Sequence, residues 1–253
     1  MALGVIARTK REREVATLIS WHRGGSEVQP SATRAAFCDA MLENADAIEI
    51  DVRRTRDGVL VCVHDADIPG AGLVTHLNWS ELAPEIARDV LTYDTFLADL
   101  RELDPQRRII IHLDLKDEGY ELDAVDQLIS DGRAFFVTTP SERSVRLLRD
   151  ERPEEDAFLT LGTSSHGLSR WRTFRLRSHE LAPFVAIWRT KATGVAVYHR
   201  LATRPLRTWC RIFRVEMVVW TVDREETQRE WLDKKVSVLT TNRPRRAREI
   251  RSE

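Results

Sequence analysis

Lysine is nearly missing from this chain. It occurs only at positions 10, 116, 191, 234 and 235 among 39 basic residues, so arginine carries almost all the positive charge. The bias is one of composition, and it makes Lys116, on a predicted strand, stand out. Cysteine is also sparse: Cys38, Cys62 and Cys210 are odd in number and scattered, which argues against a disulfide framework. Cys38 fits a helix and Cys62 a strand interior, where a thiol serves as a small buried hydrophobe. No run of about 18 apolar residues, the length that spans a bilayer, is present. The segment Met1 to Glu14 is too polar for an export signal. The expectation is a cytoplasmic protein without a stable membrane anchor. A formal net charge of -1 gives no reason to expect nucleic acid as a partner. There is no internal repeat or low-complexity tract, and the arginine-rich end from Arg245 to Glu253 reads as a solvated terminal helix.

What is present is the composition of a globular chain, 42% hydrophobic and 31% charged, and a length of 253 residues. That length is close to the roughly 250 residues of a (β/α)8 barrel. Strand-like and helix-like runs alternate, the pattern of parallel strands with helical crossovers. Strands are predicted at Leu18 to Trp21, Ala47 to Val52, Val59 to His64, Ile109 to Leu115, Ala134 to Thr138, Ala157 to Leu161, Gly194 to Tyr198, Met217 to Val222 and Val236 to Thr240. Helices are predicted from Ser31, as cap, to Glu43, and at Tyr93 to Leu103, Ser141 to Arg149 and Arg224 to Leu232. This is one strand too many for an eight-stranded barrel. The run Val59 to His64 resolves the excess as the return limb of a hairpin, antiparallel to the second strand and rising as an arm above the mouth. The expected fold is a single α/β domain, residues 1–253, a TIM barrel with that arm and a short lid-like insertion at 66–92.

The densest chemistry lies between Trp21 and Asp65. Residues two apart on a strand share a face, so Glu49 and Asp51 point one way and Ile48, Ile50 and Val52 the other. Asp57-Gly58 is a strong hairpin signal, and if it forms the two-residue loop, Asp51 falls opposite His64. His22, Glu49, Asp51, Asp114 and Lys116 all fall at or just past strand ends, the position where a barrel gathers its functional groups. Three carboxylates in one place repel and raise one another's pKa unless a cation joins them. All-oxygen ligation suits Mg2+ or Ca2+ better than zinc.

The stretch His22-Arg23-Gly24, Glu49-Ile50-Asp51-Val52, Thr55-Arg56-Asp57-Gly58 and His64-Asp65 resembles the glycerophosphodiester phosphodiesterase family. Asp114-Leu115-Lys116 is similar to that family's acid-x-Lys strand, Trp220-Thr221-Val222-Asp223 to its Trp-Thr-Val-Asn, and Thr241-Asn242-Arg243-Pro244 to its Thr-Asp-Arg-Pro. The resemblance implies a metal-dependent hydrolase that splits glycerophosphodiesters into an alcohol and a phosphomonoester, typically glycerol 3-phosphate. It assigns metal ligation to Glu49, Asp51 and Asp114, acid/base work to His22 and His64, and substrate phosphate to Arg23 and Lys116. Trp220 has two readings: wall of the substrate pocket, as the resemblance implies, or filler of the barrel. His112 has no role in the resemblance and is expected as a hydrogen-bonding residue of the barrel interior.

Three departures bear on specificity. Pro30-Ser31-Ala32-Thr33 stands for Pro-Glu-Asn-Thr, Asn242 replaces an acid, and Asp114 is one methylene shorter than the common glutamate. Two other readings compete: a phospholipase of the sphingomyelinase D type, and a non-catalytic barrel that binds phosphorylated metabolites. The first is at odds with the missing export signal and disulfide; the second with the retention of both histidines, all three acids and the lysine.

Overall fold

The computed structural model describes residues 16–162 and 183–253, together with Val5, Ile6 and Thr9. Most of the polar N-terminal segment, Lys10, and the histidines at 166 and 179 lie outside the described residues. The strands are β1 (Leu18–Trp21), β2 (Ala47–Arg54), β3 (Leu60–Val61), β4 (Asp67–Ile68), β5 (Gly72–Leu73), β6 (Ile110–Leu115), β7 (Phe135–Thr139), β8 (Asp156–Leu161), β9 (Gly194–Tyr198), β10 (Glu216–Trp220) and β11 (Val238–Thr241). The helices are α1 (Arg34–Leu42), α2 (Pro84–Asp89), α3 (Tyr93–Leu103), α4 (Glu121–Asp131), α5 (Glu142–Glu151), α6 (Pro183–Thr190), α7 (Arg204–Phe213), α8 (Glu225–Asp233) and α9 (Pro244–Ser252).

Strands β1, β2 and β6 to β11 form a ring of parallel neighbours that closes where β1 pairs with both β2 and β11. This is the expected TIM barrel. Alternation decides what each face holds. Ile48, Ile50 and Val52 lie in the main apolar cluster between strands and helices, while Glu49 and Asp51 lie on the other face. A slip of one residue would exchange those faces. Each buried aliphatic side chain is worth about 1.5–3 kcal/mol, and an unpaired buried charge costs several more, so the register is strongly enforced. At the N-terminal end of the barrel Ile6, Leu18, Ile110, Phe136, Phe158 and Val218 belong to a second apolar cluster.

Strand β3 lies outside the ring, antiparallel to the end of β2. Its register differs from the expected one. Arg53 pairs with Val61 and Arg54 with Leu60, so Asp51 is not opposite His64. The reason is the turn. Gly58 N–H donates to Thr55 O at 3.1 Å and Thr55 N–H to Val59 O at 2.9 Å, a three-residue loop with Gly58 alone at positive φ, 93°. Asp57 is not a positive-φ turn residue but a clasp. Its Oδ1 accepts from Thr55 Oγ1 at 2.7 Å and from Trp79 N at 2.9 Å, which ties the hairpin to the insertion.

The insertion holds the β4–β5 hairpin and α2, and packs Ile68 and Val74 against Val61 of the arm. Helix α1 begins later than predicted. Thr33, not Ser31, is its cap, accepting from Ala36 N at 3.2 Å, because Ala32 takes a left-handed φ of 63° and breaks the run. Helix α9 is not merely solvated. Ala247 and Ile250 are buried, and Arg251 pairs with Asp46 and donates to Thr17 O at 3.0 Å.

Candidate active site

The turn after β1 is built for close approach. Arg23 sits at φ 51°, ψ 42°, a left-handed conformation that costs a non-glycine residue about 1–2 kcal/mol. Gly24 follows at φ 79°, and a Cβ there would lie 2.7 Å from the Ala36 carbonyl carbon. The strained turn lets Arg23 reach two acids at once: its backbone N–H donates to Glu49 Oε2 at 2.8 Å, and its Nε pairs with Asp51 Oδ2 at 2.8 Å.

Asp51 and Asp114 are paired positions of β2 and β6, and one oxygen from each of Glu49, Asp51 and Asp114 lies within 4.8 Å of the others. Lys116 Nζ pairs with Asp51 Oδ1 at 2.7 Å and also with Asp114. Both Asp51 oxygens are buried and lack an aligned hydrogen-bond donor despite these ion-pair distances. Each is held by one cation, Oδ1 by Lys116 and Oδ2 by Arg23, and the three-oxygen donor set of Glu49, Asp51 and Asp114 suits a hard divalent ion. The electrostatics agree. Burial, then repulsion from Asp51 and Asp114, pushes the Glu49 carboxyl well above the usual range. Burial also works to raise Asp51, but Lys116 and Arg23 outweigh it and hold this carboxyl below its ordinary value. Burial opposes the charge on Lys116, and Asp114, Asp51 and Glu49 more than offset it.

Asp114 is aimed by a relay through the barrel. Thr138 Oγ1 donates to Asp114 Oδ1 at 2.6 Å, and His112 Nε2 lies 3.0 Å from that hydroxyl. The Thr138 proton is committed to the carboxylate, so His112 must donate from Nε2 and accept from Ser20 Oγ at Nδ1, 3.1 Å away. His112 is thus the interior hydrogen-bonding residue expected, kept neutral by burial, which pushes its pKa down to about 4.

The two predicted acid/base histidines are held differently. His22 is set in the turn after β1, and its Nδ1 lies 2.7 Å from Asn242 Oδ1. Burial, then the neighbouring Arg23 charge, lowers its pKa. His64 is half exposed, with Nδ1 at 2.7 Å from Asp65 Oδ1. The ladder does not place it; Arg53 does, donating from Nε and Nη2 to His64 O at 3.1 and 2.9 Å and from Nη1 to Asp117 Oδ2 at 2.6 Å. Trp220 ends β10 half buried, its ring centroid 5.7 Å from that of Tyr198, with Nε1 buried and unpartnered. The supporting residues Thr138, Arg53 and Asp223 were not legible as such. The Arg53-Arg54 pair at the end of an inward-acidic strand is the nearest sequence signal.

Acids, two cations and a histidine are thus gathered at the C-terminal mouth of a parallel barrel, where this fold concentrates its functional groups. The pattern of the Glycerophosphoryl diester phosphodiesterase family matches residues 22–246, and the chain belongs to that family. It is 28% identical over 246 residues, 90% of this chain and 88% of the relative, to probable glycerophosphodiester phosphodiesterase 2 of Mycobacterium tuberculosis. A 65-residue stretch is 49% identical to probable glycerophosphodiester phosphodiesterase 1 of the same species, a match spanning about a quarter, 24%, of that relative. Among solved structures, the barrel is similar to a glycerophosphodiester phosphodiesterase from Parabacteroides distasonis, with a TM-score of 0.75 and 20% identity over 94% of this chain and 98% of that one. An Oleispira antarctica phosphodiesterase in complex with the product sn-glycerol-3-phosphate has a TM-score of 0.72 at 14% identity, over 93% of this chain and 97% of the other.

Proposed function

We propose that this protein hydrolyses small glycerophosphodiesters to an alcohol and a phosphomonoester, with glycerol 3-phosphate as the phosphomonoester. The observation that carries the reading is the convergence of Glu49, Asp51 and Asp114 within 4.8 Å, bordered by Arg23 and Lys116, in a chain of this family. Glu49, Asp51 and Asp114 would hold Mg2+ or Ca2+, whose chemistry is to polarise the phosphoryl oxygens and offset their charge. The remaining work belongs to the chain's own groups. Arg23, with its planar fork, and Lys116, as a point charge, orient the non-bridging oxygens. His22 and His64 move the protons: one leaves the attacking oxygen and one reaches the departing alkoxide, and imidazole can do both near neutrality. Trp220 walls the substrate pocket.

Residues 1–253 are read as one barrel domain, with 66–92 inserted beside the arm. A cytoplasmic setting goes with the free thiols of Cys38, Cys62 and Cys210. No helix among the described residues is long and apolar enough to cross a membrane. The deciding experiment incubates the purified protein with a panel of glycerophosphodiesters, with Mg2+, Ca2+ or chelator, and measures free alcohol and phosphomonoester. Release that chelation abolishes supports the proposal; no release from any diester with either metal overturns it.

A further inference from the structure

The residues behind His22 form a directed chain of hydrogen bonds whose every donor can be assigned. Gln228, fully buried, donates from Nε2 to the Val222 carbonyl at 3.1 Å and to Thr241 Oγ1 at 2.9 Å. A carbonyl only accepts, so this amide cannot turn round. Thr241 Oγ1 also accepts from Arg243 N at 2.9 Å and spends its single proton on Asp223 Oδ1 at 3.2 Å. Asp223 accepts twice more, from Asn242 N at 2.8 Å and from Asn242 Nδ2 at 2.9 Å. It also lines a cavity of about 720 Å³ together with Arg207, Arg224, Glu230 and Lys234.

We propose that Asn242, clamped by Asp223, is a positioning residue that holds His22 in the tautomer protonated at Nδ1 and leaves Nε2 as the ring's free lone pair. This deepens the reading of His22 as a proton-transfer group and rests on it. The carboxylate decides the orientation of the Asn242 amide. Turned over, the amide would set its oxygen against Asp223 Oδ2 at 2.9 Å, two acceptors without a proton between them. In the allowed orientation the amide oxygen faces His22 Nδ1 at 2.7 Å, which must then carry the proton. The acid at 223 and the amide at 242 are in direct contact, Asn242 Nδ2 donating to Asp223 Oδ2. His22 therefore meets a neutral acceptor, with the negative charge one residue further back.

The test is histidine side-chain 15N NMR on the full chain, read beside steady-state kinetics. His22 should appear as a single Nδ1–H tautomer. In Asp223→Asn the amide loses its fixed orientation, so the Nε2–H form should appear, and kcat should fall roughly 10- to 100-fold, the range for supporting-residue losses, with KM nearly unchanged. The double variant Asp223→Asn/Asn242→Asp places a pure acceptor on Nδ1 again and should restore the single tautomer. A pair that merely closes the loop after β11 would leave the tautomer alone in every variant. An Nε2–H His22 in the wild-type protein overturns the proposal without any variant having to fold, and so does an unaltered tautomer in a folded Asp223→Asn. Nδ1–H in a wild-type protein that turns over no diester supports it while overturning the hydrolase reading.

Discussion

Asp51 and Asp114 occupy paired positions on neighbouring parallel strands, and Lys116 Nζ touches both carboxylates. Two acids so placed hold together only with positive charge between them. Lys116 supplies part of it, and the third acid, Glu49, leaves room for more.

A divalent ion should therefore stabilise the fold as well as serve the reaction. At a concentration about a hundred times Kd, Mg2+ or Ca2+ should add about 2.7 kcal/mol to unfolding. Glu49→Ala and Asp51→Ala should stay folded, lose metal-dependent turnover and lose this increment. Chemical denaturation with and without metal, beside the activity assay, checks it; an increment that survives in both variants would remove these acids from ligation.

His22→Ala and His64→Ala should each lower kcat by roughly 10²- to 10⁴-fold, and the double variant by far less than the product, because residues acting as one unit are not additive. Near-normal turnover in either single variant would take that histidine out of the mechanism. For His64 this test now stands alone, since the hairpin register that had tied it to Asp51 is not the one observed.

Two glycines at positive φ should respond differently to alanine. At Gly58 a new Cβ meets nothing within 4 Å, so Gly58→Ala should cost only the left-handed conformation, about 1–2 kcal/mol, and keep activity. At Gly24 the Cβ would press on the Ala36 backbone at 2.7 Å, so Gly24→Ala should displace the His22–Arg23 turn and abolish activity. Urea unfolding and turnover of the two variants decide the matter; equal behaviour would contradict the account.

Asp57 makes a pH prediction. Hydrogen bonds from the Trp79 backbone, then the Thr55 side chain, lower its pKa to about 2 from an ordinary 3.8. The unfolded chain thus binds the proton more readily, and the clasp contributes stability above about pH 4 that is lost as the pH falls through 2. Melting curves of wild type and Asp57→Ala should differ at pH 5 and converge near pH 2. A gap independent of pH would show that the clasp does not depend on the charge.

Local periodicity made much of this protein legible. Alternation along Ile48-Glu49-Ile50-Asp51 is a property of any strand with one buried face, so the inward acids and the parallel barrel could be read from the chain. The extra ninth strand could be placed outside the ring because an antiparallel return cannot join a parallel wall. The tertiary structure decided what depends on neighbours far along the chain. Asp57-Gly58 is compatible with more than one turn, and hydrogen bonds donated to Asp57 by the Trp79 and Ser80 backbone select the three-residue loop and its register. Likewise nothing near residue 22 indicates that its imidazole is held by residue 242, because that contact spans 220 positions and exists only where the first and last strands meet to close the barrel.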